Sequence, residues 1–129
     1  FGNDGDGPDI FRRTVEFVGE AGIDLVHFGL LTPTPGTDLF ARLEREGRLL
    51  YTQFPADYVR YDLRTAVFQP LHMSPQELEA GLLWATQAVG SRAAVVRRAL
   101  GTWRKTRNPL VTLLALRWHR SGFYRRVLG

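Results

Sequence analysis

Two aspartates two residues apart in a glycine-rich stretch are the first groups in this sequence able to do chemistry. They lie in Gly2-Asn3-Asp4-Gly5-Asp6-Gly7. Neighbouring carboxylates can act as an acid–base pair or share a magnesium ion. They can equally cap a helix or close a turn. Glycines there let the backbone approach a ligand, and a following helix would aim N–H donors at it. The spacing is neither GxGxxG nor a P-loop, and two carboxylates repel a phosphate. His27 is the second candidate, a polar ring inside the apolar run Asp24-Leu25-Val26-His27-Phe28-Gly29-Leu30-Leu31. A histidine near the carboxyl end of a strand sits where α/β proteins bind ligands, or else is a satisfied structural group. His72 and His119 are remote, with no HxxxH or HxH spacing for a metal. Ser74 and Ser91 lack triad partners. The sequence has no cysteine, which excludes disulfides, thiol catalysis and cysteine-ligated metal centres in this chain.

The elements that would position these groups follow from spacing. Residues 1–7 read as a strand end entering a loop. Residues 8–21 read as a helix, with Asp6 or Gly7 as cap, Pro8 at the first position and Ile10, Phe11, Thr14, Val15, Phe17, Val18 and Ala21 at helical spacing. The run 24–31 has strand length and no alternation, as in a strand buried on both faces of a parallel sheet. Thr32-Pro33-Thr34-Pro35-Gly36-Thr37 stops it. Thr37 or Gly36 caps a helix from about Asp38 to Glu46, with Leu39, Phe40 and Leu43 inward and Gly47 as its stop. Residues 48–64 read as irregular and rich in tyrosine, and 65–68 as a short strand ended by Pro70. Ser74-Pro75-Gln76-Glu77 is a capping box. The helix it opens runs to about Lys105 with a break near Gly90. Leu78, Leu82, Ala85, Val89, Val96 and Leu100 form its buried stripe, and Arg92, Arg97, Arg98 and Arg104 face elsewhere. Asn108-Pro109 opens a last helix through Trp118 that ends at Gly122. Trp84, Trp103 and Trp118 read as packing or partner contacts.

Charge divides the 129 residues. All 13 acids lie between Asp4 and Glu79, so residues 1–80 carry −6, whereas residues 81–129 carry +10 with no acid. Sixteen of the 17 basic residues are arginine. An acid-free cationic segment is a footprint for phosphate, anionic lipid or an acidic surface, or is a solvated face. No nucleic-acid reader motif is present. Twelve per cent aromatic residues exclude disorder throughout, and no apolar stretch reaches the length of a membrane span. The sequence opens on Phe1 and its single methionine is Met73, so it is read as part of a longer polypeptide.

These residues resemble the later barrel strands of radical S-adenosylmethionine (SAM) enzymes. The resemblance is carried by Phe1-Gly2-Asn3-Asp4-Gly5-Asp6, a helix, Gly22-Ile23-Asp24-Leu25, and Leu30-Leu31-Thr32-Pro33-Thr34-Pro35-Gly36-Thr37. Glu46-Gly47-Arg48, Tyr61-Asp62, Val67-Phe68-Gln69-Pro70, Met73-Ser74-Pro75-Gln76-Glu77-Leu78 and Arg97-Arg98 look like the branch with a cobalamin-binding domain. The resemblance spans about residues 1–100. It implies an α/β fold: the last βα elements of a partial (βα)6 radical SAM barrel over 1–72, then a basic α-helical region over 73–129. Residues 1–6 would end strand five and 25–31 would be strand six. It implies a parent enzyme with SAM, a four-iron iron–sulfur cluster held by CxxxCxxC, and cobalamin. Asn3, Asp4, His27, Phe28, Gly29 and Thr32 would border the SAM pocket. Asn3 and Thr34 depart from the family pattern, and the cluster motif is absent. The chain alone would bind no cofactor and be inactive. Its expected partners are the amino-terminal part of the same polypeptide, a small-molecule or lipid substrate, and an anionic membrane surface at the inner face of a cytoplasmic setting. The rival reading is a non-catalytic module that docks through its cationic helices.

Overall fold

The computed structural model describes residues 1–23 and 25–120, and side chains through Leu114 in the last helix. Its elements are α1 (Ile10–Ala21), α2 (Asp38–Arg45), a 3₁₀ turn (Ala56–Arg60), α3 (Pro75–Gly90), α4 (Arg92–Thr106) and α5 (Pro109–Arg120). Among the described residues no strand forms. A lone antiparallel bridge joins Leu49 to Phe68. The expected α/β fold, a partial barrel with strands at 1–6 and 25–31, is therefore overturned. The run after position 24 gains no ladder: Leu30 N–H donates to Leu63 O (2.8 Å), and Leu31 N–H donates to Phe1 O (2.7 Å). A run buried on both faces needs neighbouring strands and covering helices. Here Leu30 is buried while Leu25 is 56% exposed. The expected strand at 65–68 reduces to the same bridge, and Ala66, Val67 and Phe68 are all buried rather than alternating.

Helix boundaries follow local capping. Thr37 Oγ1 accepts from Phe40 N–H, so α2 starts where expected. Gly47 adopts φ +66 beyond its end, and the paired bonds Arg48 N–H to Leu43 O and Gly47 N–H to Glu44 O make a Schellman turn. Ser74 and Glu77 close a reciprocal capping box, with Glu77 N–H donating to Ser74 Oγ and Ser74 N–H to Glu77 Oε2. Asn108 Oδ1 caps α5 through Leu110 N–H. α1 begins at Ile10 rather than Pro8, because the Asp6 carboxylate folds back onto Gly2 and Asn3 instead of capping forward.

Two compact units result. The first is Phe1–Phe11 with Phe28–Leu82; the second is Arg12–His27 with the chain from Leu83 on. The first has a core of Phe11, Leu30, Phe40, Leu43, Val67, Phe68, Met73, Leu78 and Leu82. Gly81 is required there: a Cβ would overlap the buried Phe11 ring. The second is helical, with α4 packed on α5. Its buried residues include Val18, Ala85, Val89 and Ala94, together with Thr86, Arg98 and Thr102. Ser91 caps α4 and ends the continuous helix at Gly90. The break resets the stripe. Val96 and Leu100, expected inside, are more than half exposed, while Arg98, expected outside, is buried and donates to Val89 O. Phe17, one of the residues at helical spacing on α1, is 60% exposed. Trp84 and Trp103 are about half exposed. Asp24 and Gly122, and the side chains of Trp118 and His119, lie outside the described residues. Among the described residues no helix is long and apolar enough to cross a membrane.

Candidate functional site

The polar groups of the first unit converge on its opening loop. Asp6 Oδ2 accepts from Gly2 N–H (2.9 Å), Asn3 N–H (3.0 Å) and Asn3 Nδ2 (3.3 Å). That turn presents Asp4 to α2. Gly2 holds φ +105 beneath it, with Leu78 and Phe68 3.2 Å from where a Cβ would stand, so only glycine fits. The Schellman turn at Gly47 delivers Arg48 to the same place. Asp4 Oδ1 then accepts from Arg48 Nη2 (2.9 Å), and Asp4 Oδ2 from Arg42 Nη2 (3.0 Å). Arg48 also donates from Nη1 to Glu46 Oε2 (2.9 Å) and from Nε to Gln69 O (2.8 Å). Its side chain is only 11% exposed, and its guanidinium lies over the Phe68 ring.

The result is a neutral cluster of two carboxylates and two guanidiniums. The hydrogen bond from Arg48 is the main reason the Asp4 carboxyl stays below the ordinary aspartate value; burial opposes it, and the charges of Arg48 and Arg42 assist. Asp4 therefore carries no proton near neutral pH, and both its oxygens are engaged. The cluster can hold a loop in place and order nearby groups. Arg42 and Glu46, 46% and 40% exposed, carry most of its contact with solvent.

The six residues singled out for SAM fall into different settings. Asn3 is exposed at the loop, and Asp4 is in the cluster. The Phe28 ring is half-buried, 5.3 Å from Phe1, whose ring in turn lies 4.8 Å from Phe11. Gly29 O accepts from Phe1 N (2.8 Å), and Thr32 Oγ1 donates to Leu30 O (3.1 Å). The first unit thus places the opening loop alongside the segment that holds Phe28, Gly29 and Thr32. His27 is exposed and belongs to the second unit. Sequence spacing missed Arg42 and Arg48, which lie 38 and 44 residues from Asp4. The signal that marks Arg48 is its place directly after a helix-ending glycine.

An iron–sulfur cluster does not fit these residues. The chain has no thiolate, and among the described residues no three His, Asp or Glu side chains gather to hold a metal. The Asp4 carboxylate, Gly29 carbonyl, Thr32 hydroxyl and Asn3 side-chain N–H are already engaged within the chain.

Comparison with known proteins adds one relation. Over 101 residues, 78% of its length, the chain is 28% identical to the bacteriochlorophyllide d C-12(1)-methyltransferase of Chlorobaculum tepidum. The chain is similar to a methyltransferase. It spans about a fifth of that methyltransferase's length. No protein-family model and no solved structure matches the chain.

Proposed function

We propose that this chain is the carboxyl-terminal portion of a radical SAM methyltransferase that modifies a small-molecule or lipid substrate. The observation that carries the reading is the similarity to a methyltransferase over more than three quarters of the chain. The strings around residues 30–37 and 73–78 point the same way. In this reading the cysteines that hold the iron–sulfur cluster, and the cobalamin-binding domain, lie in the amino-terminal part of the polypeptide. No radical step is assigned to the residues of this chain. Their work is binding and orientation. The Asp4–Arg42–Arg48–Glu46 cluster locks the opening loop to α2, so Asn3 and Phe28 border the SAM pocket on a fixed frame.

The test begins with the natural gene product. The expected product extends upstream of Phe1 and carries CxxxCxxC. Purified anaerobically, it cleaves SAM to 5′-deoxyadenosine and passes a labelled methyl group to its substrate. A natural product without that motif overturns the reading. SAM cleavage without methyl transfer would keep the radical assignment and remove the methyltransferase one.

A further inference from the structure

Helix α4 has two stripes of opposite character. Residues two apart on a helix point about 200° apart, so positions 92, 96, 100 and 104 lie opposite 94, 98 and 102. The second set, Ala94, Arg98 and Thr102, is buried. The first set is Arg92, Val96, Leu100 and Arg104, with Val96 55% and Leu100 52% exposed. A groove of about 450 Å³ runs along this stripe, lined also by Ala93 and Arg97. An aliphatic floor thus lies among three guanidiniums.

The adjoining helix continues the pattern. α5 packs on α4, and its Leu110, Leu113 and Leu114 are each more than half exposed. Trp103, near the end of α4, is 43% exposed. Lys105 and Arg107 follow it, and no acid occurs anywhere from 81 to 129.

We propose that α4 and α5 form a docking surface for an anionic lipid bilayer. Val96, Leu100 and the exposed leucines of α5 enter the acyl boundary, and Arg92, Arg97 and Arg104 pair with lipid phosphates. The charge balance selects this occupant. Guanidiniums bind phosphate in a forked geometry, and their aliphatic stems pass over an apolar surface while the charged ends stay at headgroup level. Exposed leucines and a tryptophan on cationic helices match an interfacial helix pair. A nucleic acid would use the arginines and leave the leucines in water. This surface is argued from the residues of α4 and α5 alone and does not depend on the methyltransferase reading.

The test is vesicle flotation of the whole chain. The vesicles are phosphatidylcholine alone or phosphatidylcholine mixed with phosphatidylglycerol. Binding is expected only to the mixed vesicles, with a blue shift of tryptophan emission. It should fall sharply at about 1 M salt, where the Debye length is about 3 Å. Arg92→Gln with Arg104→Gln should weaken binding about thirtyfold. Val96→Ser with Leu100→Ser should weaken it about tenfold or more and remove the blue shift. All four substituted positions are exposed, so circular dichroism should show unchanged helix content in both variants. Equal binding to both vesicle types, or no binding, overturns the proposal. So does mixed-vesicle binding that Val96→Ser with Leu100→Ser leaves intact, because adhesion would then be charge alone. A concentration-dependent dimer abolished by the same pair would show that a second copy covers the face. Loss of vesicle binding in the full natural gene product would show that the rest of the polypeptide covers it. Tight binding to RNA with none to vesicles would assign the arginines to nucleic acid.

Discussion

The two units satisfy their backbones in different ways. The first unit is mostly irregular, so its N–H groups need partners from outside a helix ladder. Carboxylates supply them. Asp6 accepts from Gly2 and Asn3, Asp57 from Gln53, Asp62 from Arg64 and Thr65, Glu77 from Ser74, and Glu79 from Ala66. In the second unit the helices pair their own N–H and C=O groups, and acids are not needed for that purpose. Five of the 13 acids, Asp6, Asp57, Asp62, Glu77 and Glu79, are thus explained by loop and cap geometry. Among the described residues of the second unit, the buried Arg98 turns its guanidinium to a backbone carbonyl, Val89 O.

The largest expected effect separates the units directly. Phe68 is 1% exposed at the centre of the first core. Phe68→Ala should cost about 3–5 kcal/mol. The near-UV dichroism of the cluster formed by Phe40, Phe54, Tyr58 and Tyr61 should vanish at a lower temperature, while far-UV signal from α4 and α5 persists. Simultaneous loss of both signals would show that the units do not melt separately.

A smaller change tests the role given to carboxylates. Ala66 is 2% exposed, and its N–H donates to Glu79 Oε1 at 2.8 Å. Glu79→Ala leaves that donor buried and unpaired, at a cost of about 1–3 kcal/mol. Glu79→Gln keeps an acceptor oxygen and should recover most of the loss in urea unfolding. If Gln is as damaging as Ala, the charge matters more than the bond.

What the sequence revealed follows the same line. Caps are local, so Thr37, Ser74 with Glu77, Gly47 and Asn108 marked helix ends correctly. The run 25–31 did not behave as written, because a strand depends on partners elsewhere in the chain, and the backbone bonds of Leu30 to Leu63 and of Leu31 to Phe1 do not make a ladder. The stripe on α4 failed for a different reason. The cap at Ser91 starts a new helix, and the phase carried over from Leu78 and Val89 no longer applies to Val96 and Leu100. The pairing of Asp4 with Arg48 spans 44 residues, and no spacing rule reaches that far.

Asp4 gives the pH-sensitive version of the comparison. Its carboxyl lies below the ordinary aspartate value of 3.8, chiefly through the Arg48 hydrogen bond. A carboxyl depressed by folding adds stability that is complete above its unfolded value and is lost as pH falls through the folded one. The first unit should therefore hold its stability above about pH 5 and lose the Asp4 share below about pH 4. Asp4→Asn should cost about 1 kcal/mol at neutral pH and flatten that acid limb in melts taken between the two regimes. An unchanged acid limb in Asp4→Asn would assign it to other carboxylates, Asp62 among them, whose carboxyl is also held low: burial opposes its charge, but N–H groups of Thr65 and Arg64 outweigh it.

The smallest effect belongs to the second unit and closes the comparison from the other side. Arg12 and Glu16 pair at 2.9 Å one turn apart on α1, with 61% and 52% of their side chains exposed. Water and salt screen such a pair, and it contributes about 0.3–0.5 kcal/mol. Arg12→Ala should shift a urea midpoint barely beyond error, and salt should erase even that. The contrast with Glu79→Ala is the point. A carboxylate that serves a buried N–H carries stability, whereas charges on a self-satisfied helix carry almost none and can be given over to a partner. A loss in Arg12→Ala as large as that in Glu79→Ala would mean that the helical unit also depends on its surface charge, and its arginines could not be treated as available for docking.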